Sequence, residues 1–141
     1  MLAGPKAPEL TSRPLMLSPL PTAPSCAREV SRLHLAEWGM SALSEVADVI
    51  VTELVTNAIQ ASQRYGAPAQ LGFRMTVSGP RVRIEVWDTA PGHPRLRRDV
   101  PPLDESGRGL QLVDALSGGR WGCQRCPAGG KVVWAEMGCR E

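Results

Sequence analysis

The sequence predicts a two-layer α/β sandwich in which a mixed, mostly antiparallel sheet carries helices on one face. Three observations lead there. Apolar residues recur at helical intervals through two segments between residues 25 and 62, and the spacing then changes to strict alternation between 71 and 87. In the alternating segments one face is apolar and the other mostly charged, as in an antiparallel sheet covered on one side only. A third helical segment and a final strand pair follow the second alternating run.

The chain has 141 residues, is 43% hydrophobic and carries a formal net charge of +2. That is material for one ordinary core, so one domain is expected. No dense basic run stands out, which argues against direct nucleic-acid binding. No apolar stretch has the length of a membrane span or a signal-peptide core, so a cytoplasmic protein without membrane contact is expected.

Residues 1–24 are proline-rich and are expected to be largely flexible, with Leu15-Met16-Leu17 as an edge strand; the domain proper is expected to span 25–141. The first helix is expected from Ser25, as N-cap, to Trp38, with Val30, Leu33, Leu35 and Trp38 on its apolar side and Gly39 beyond its end. A second helix opens at Ser41 or Ser44 and runs to about residue 62. In the first strand Leu71, Phe73, Met75 and Val77 alternate with polar or small residues; Val82, Ile84 and Val86 do so in the next, and Ser78-Gly79-Pro80 links the two. Residues 89–106 read as a long proline-rich loop, of the kind that is usually functional. A third helix carries Leu110, Val113 and Leu116 and ends at Gly118-Gly119. Strands near 120–124 and 131–137 close a hairpin through Pro127-Ala128-Gly129-Gly130.

Cysteines stand at 26, 123, 126 and 139. Cys123-Gln-Arg-Cys126 has the spacing of half a zinc site, but Cys26, Cys139, His34 and His93 supply no second close pair. Two cysteines flanking a hairpin turn is the simpler reading.

Four features carry candidate chemistry. On a helical wheel Leu43, Val46, Ile50, Leu54 and Ala61 centre the apolar stripe of the second helix, and Glu53 and Asn57 fall within it. A carboxylate and an amide four residues apart share one face, and burying them without partners is costly, so a ligand, a metal or a fixed network is implied. ExxxN is also common as a plain surface pair. Asp88 keeps the inward phase of Val82, Ile84 and Val86, so its carboxylate can accept from an exocyclic amine such as that of adenine, with the Pro91-Gly92 turn allowing close backbone approach; it can equally cap a turn. Glu105-Ser-Gly-Arg-Gly-Leu110 places Gly107 and Gly109 at a helix start, which suits phosphate or serves as a connector. Arg95, Arg97, Arg98 and Lys131 are cations within reach of a polyphosphate, or merely solvated charges.

In order, ELVTNA at 53–58, WDTAPG at 87–92, the long loop, GRGL at 107–110 and GKVVW at 130–134 resemble the histidine-kinase-like ATPase superfamily with the Bergerat fold. Within it the chain is similar to stand-alone anti-sigma factor serine/threonine kinases of actinobacteria. The resemblance implies that ATP binds with Mg2+ held through Asn57, and that Glu53 is the general base. It implies further that Asp88 holds the adenine amine, with Gly92 beside the base and with Gly107, Arg108, Gly109 and Leu110 at the phosphates. It also implies an anti-anti-sigma-type protein or a sigma factor as partner, with a homodimer as a further association. Two positions depart from the pattern: Ala90 stands where the family has glycine, and Val132 stands where relatives often have threonine near the adenine. A non-catalytic module that sequesters a sigma factor or another regulator is the alternative. A sensor histidine kinase would need a phosphoacceptor histidine on a helix pair, for which only His34 on a single helix is available.

Overall fold

The computed structural model describes residues 9–65, 70–88, 108–127 and 129–138. Elements follow in the order β1 (Glu9–Thr11), β2 (Leu15–Leu17), α1 (Ala23–Glu37), a 3-10 turn (Ser41–Leu43), α2 (Ser44–Tyr65), β3 (Leu71–Ser78), β4 (Arg81–Asp88), α3 (Arg108–Ser117), β5 (Trp121–Arg125) and β6 (Lys131–Gly138). The six strands form one sheet in the order β1-β3-β4-β6-β5, and β2 pairs with β3 alongside β1. Every described pairing is antiparallel. The three helices contribute to one layer whose core lies between α1, α2, α3 and the inner face of the sheet. This is the α/β sandwich that the alternation predicts.

The helix starts differ from expectation. Helix α1 begins at Ala23 with Thr22 as N-cap and Pro24 in its first turn, where proline's missing N–H costs nothing. Ser25 lies inside the helix, and its hydroxyl donates to the Thr22 carbonyl at 3.0 Å. The buried face of α1 is Ala23, Ala27, Ser31 and Leu35, while Leu33 is 63% exposed. Small residues let α1 lie close against α2, and a reading weighted by large apolar side chains overlooks them. Arg28 donates to Thr52 Oγ1 at 2.8 Å and Arg32 pairs with Asp48, fixing the two helices along their polar seam. Gly39, with φ of 69°, ends α1 as expected.

The sheet takes in part of the segment expected to be flexible. Leu10 pairs with Val77 and Leu15 with Phe73, so β1 and β2 share one edge of β3. Between them the Ser12 hydroxyl accepts the Met75 N–H at 2.9 Å, and the Ser12 N–H donates to the Met75 carbonyl. In β3 and β4 the inward set is Leu71, Phe73, Met75 and Val77 with Val82, Ile84 and Val86, all buried. Each such side chain contributes roughly 1.5–3 kcal/mol on burial.

The outward face carries a lattice of alternating charges. Arg74 donates to Glu85 at 2.8 Å, Arg83 stands 3.7 Å from Glu85 and 3.4 Å from Glu136, and each arginine lies over a tryptophan, Arg74 on Trp87 and Arg83 on Trp134. Trp87 lies directly across from Gly72, where an added Cβ would approach its Cε3 to 2.9 Å. Gly72→Ala is therefore expected to cost about 1–3 kcal/mol through displacement of that ring, measurable by urea denaturation.

Candidate functional site

Helix α2 supplies the first two candidate residues. Its fully buried arc is Ala47, Ile50, Val51, Leu54, Val55 and Ala58. The expected Leu43, Ile50 and Leu54 are buried, and the buried arc extends beyond them to Ala47, Val51, Val55 and Ala58, whereas Val46 and Ala61 are only half-buried. Glu53 and Asn57 are thus half-buried at the margin of the stripe rather than within it. That margin is where a helix side chain can face a ligand and water together.

Helix α3 packs against α2 and brings Gly109 onto Glu53. A Cβ at Gly109 would overlap the Glu53 carboxylate oxygen Oε2 and stand 3.2 Å from its Cδ. Only glycine lets the Glu53 carboxylate keep this position against the first turn of α3. A carboxylate at the positive end of a helix is also favourably placed. Leu110 follows as a buried anchor beside Val113 and Ser117, whereas Leu116, expected on the same side, is 37% exposed. At the far end of α3, Trp121 Nε1 donates to Asp114 at 2.9 Å and ties the helix to β5.

Asp88 closes β4 on the helix-covered face, as its phase predicts, and is buried. Directly across from it on β6 stands Lys131, whose Nζ donates to Asp88 Oδ1 at 2.7 Å; the two side chains are 1% and 5% exposed. Lys131 shares the inward phase of Val133, Ala135 and Met137, all core residues. Val132 is paired with Trp87 and faces the outer side of the sheet. Val132 therefore does not stand on the helix-covered side where the sequence expects it near the base; Lys131 does, because neighbouring residues of a strand face opposite sides. Lys131 was legible as a cation near the site, but its pairing was not, since cross-strand register is invisible in a single strand's sequence.

Among the site residues expected from sequence, Glu53, Asn57, Asp88, Gly109 and Leu110 all stand on elements of the helix-covered side. Gly92, Gly107, Ala90, Arg95, Arg97 and Arg98 lie outside the described residues, as does the side chain of Arg108.

Cys123 lies on β5 opposite Val133 and packs against the core margin, while Cys126 begins the hairpin turn, its N–H donating to Gly130. Both are free thiols, and no group of three or more histidine, cysteine or acidic residues among the described ones is placed to hold a metal. Burial pushes the Cys123 thiol up, partly offset by the charge of Lys131. A raised thiol holds less thiolate at neutral pH. Exposed Cys26 is therefore expected to be alkylated well before Cys123, whose labelling accelerates only as pH rises; mass spectrometry of iodoacetamide-treated protein reads both.

No described helix is long and apolar enough to cross a membrane. The fit of the site to a nucleotide rests on two features: the Cβ-free approach of α3 to Glu53, and an inward carboxylate at the end of a central strand. A search of curated proteins returns no significant match. A family model for the histidine kinase-like ATPase domain, by contrast, matches residues 17–133, from β2 into β6. On that match, which covers most of its length, the chain belongs to the histidine kinase-like ATPase domain family.

Proposed function

We propose that this ATP-binding domain acts as a serine/threonine protein kinase of the anti-sigma-factor type, which transfers the γ-phosphoryl group of ATP to a hydroxyl of an anti-anti-sigma-type partner. The observation that carries it is Glu53, half-buried and held against the Cβ-free first turn of α3. A carboxylate so placed accepts the proton of the attacking hydroxyl as the phosphoryl group leaves ADP. Asp88 and its strand end would receive the base, and Gly107, Arg108, Gly109 and Leu110 would face the phosphates. Asn57, one turn beyond Glu53, would hold Mg2+, which supplies positive charge to the phosphates when bound.

The expected behaviour separates binding from transfer. Asn57→Ala should weaken ATP–Mg2+ binding at least tenfold by calorimetry. Glu53→Ala should retain binding and lose phosphoryl transfer by about 10²–10⁴-fold. Absence of nucleotide binding by the wild-type chain at millimolar ATP would refute the kinase reading. One observation favours a second reading, in which the fold holds a sigma factor or another regulator without transfer: the Asp88 carboxylate is engaged by Lys131. Nucleotide binding with no transfer to any anti-anti-sigma-type partner would support it.

A further inference from the structure

The two borders of the sheet are treated differently. The outer side of β3 is covered by β1 and β2, whereas among the described residues no strand pairs with the outer side of β5. Strand β5 is five uninterrupted residues without proline. Next to its two ends the Arg120 carbonyl accepts from the Glu136 N–H, and the Cys126 N–H donates to the Gly130 carbonyl. Bonding in an antiparallel ladder repeats at every second residue, so Gly122 and Gln124 also bond toward β6. The backbone groups of Trp121 and Cys123 therefore turn outward. Their side chains, with that of Arg125, point to the helix-covered face, because the three residues stand across from the buried Ala135, Val133 and Lys131.

An inward-pointing charge at a border deters a strand that brings nothing to meet it. A second copy of this chain does bring something. Asp114 of α3 is half-buried and accepts from Trp121 Nε1 at 2.9 Å through one carboxylate oxygen, which sets a negative charge beside the border. We propose that β5 is the interface of a homodimer, in which the β5 strands of two copies pair antiparallel about a twofold axis at Cys123 and join the two sheets into one. In this register Cys123 faces Cys123 of the second copy, and Trp121 faces Arg125 of the second copy. The exposed Arg125 guanidinium of each copy then stands beside the Trp121 ring and the Asp114 carboxylate of the other, and symmetry makes the contact twice. This attraction acts between net charges, so it persists whatever other contacts the guanidinium makes. It is independent of the nucleotide reading.

Sedimentation equilibrium of the full chain tests this. At roughly 100 μM, where even a weak interface is populated, the wild type should sediment with twice the chain mass. Cys123→Pro should sediment with the single mass, because proline removes an outward N–H and costs no bond to β6. Far-UV circular dichroism and a urea titration check that this variant is folded. Arg125→Glu changes an exposed side chain and decides the matter by itself if the proline unfolds β5. Two like-charge contacts then replace two attractive ones, and the dissociation constant should rise at least about tenfold. A wild-type chain of single mass overturns the inference. A dimer that Arg125→Glu or a folded Cys123→Pro leaves as tight as wild type also overturns it, since the contact then lies elsewhere.

Discussion

Lys131→Met is expected to destabilise the folded chain by about 3–5 kcal/mol, the cost of leaving a buried charge without its partner. Both members of the pair are almost fully enclosed, at 5% and 1% exposure, so solvent does little to screen the loss. For a domain of this size such a change lowers Tm by roughly 10 °C or more. The pair is not expected to be worth that much in itself, because desolvating two charges offsets most of their attraction. The double variant Asp88→Asn with Lys131→Met should therefore recover a large part of the loss. Urea titrations of wild type, both single variants and the double variant give the cycle, and a loss under about 1 kcal/mol in Lys131→Met would show that water reaches the pair.

On the kinase reading proposed above, Gly109→Ala should leave stability nearly unchanged and still cost about a hundredfold in phosphoryl transfer. The new methyl meets the far end of the Glu53 side chain, which can rotate away, rather than backbone. Alanine also favours a helix over glycine by roughly 0.5–1 kcal/mol, which offsets the displacement. What the substitution disturbs is the position of the carboxylate, and misplacing a reacting group by about 1 Å is enough for a hundredfold effect. In a Glu53→Ala background the same change should be harmless or mildly stabilising. If it lowers transfer equally with Glu53 present and absent, the contact plays no part in the chemistry.

The sequence was most informative where periodicity was strong. Strands β3 and β4, and the Gly79 turn between them, follow from alternation and a glycine at φ of 58°. On helix α1 the expected Leu35, Val30 and Trp38 do meet the core and Leu33 does not, while Ala23, Ala27 and Ser31, which have little hydrophobic signal, are buried as well. On α2 and the 3-10 turn before it the expected Leu43, Ile50 and Leu54 are buried, and the arc is wider than the stripe, taking in Ala47, Val51, Val55 and Ala58 on a helix that packs against α1, α3 and the sheet. At the site, the inward phase of Asp88 was legible from its own strand. The approach of Gly109 to Glu53 required the packing of α3 on α2, and the engagement of Asp88 by Lys131 required the register of β6, neither of which one sequence displays.

Strand β3 is eight residues long and would present a row of open amides and carbonyls along its outer side if nothing lay against it. The two three-residue pieces β1 and β2 cover that side, with Ser12 bonding into the gap and Pro14 preventing them from merging into one continuous strand. A long flat border invites another chain to add to the sheet, whereas a short, interrupted one offers little to copy. The segment before α1 thus works as a seal on this edge of the sheet, guarding it against pairing with a second copy of itself.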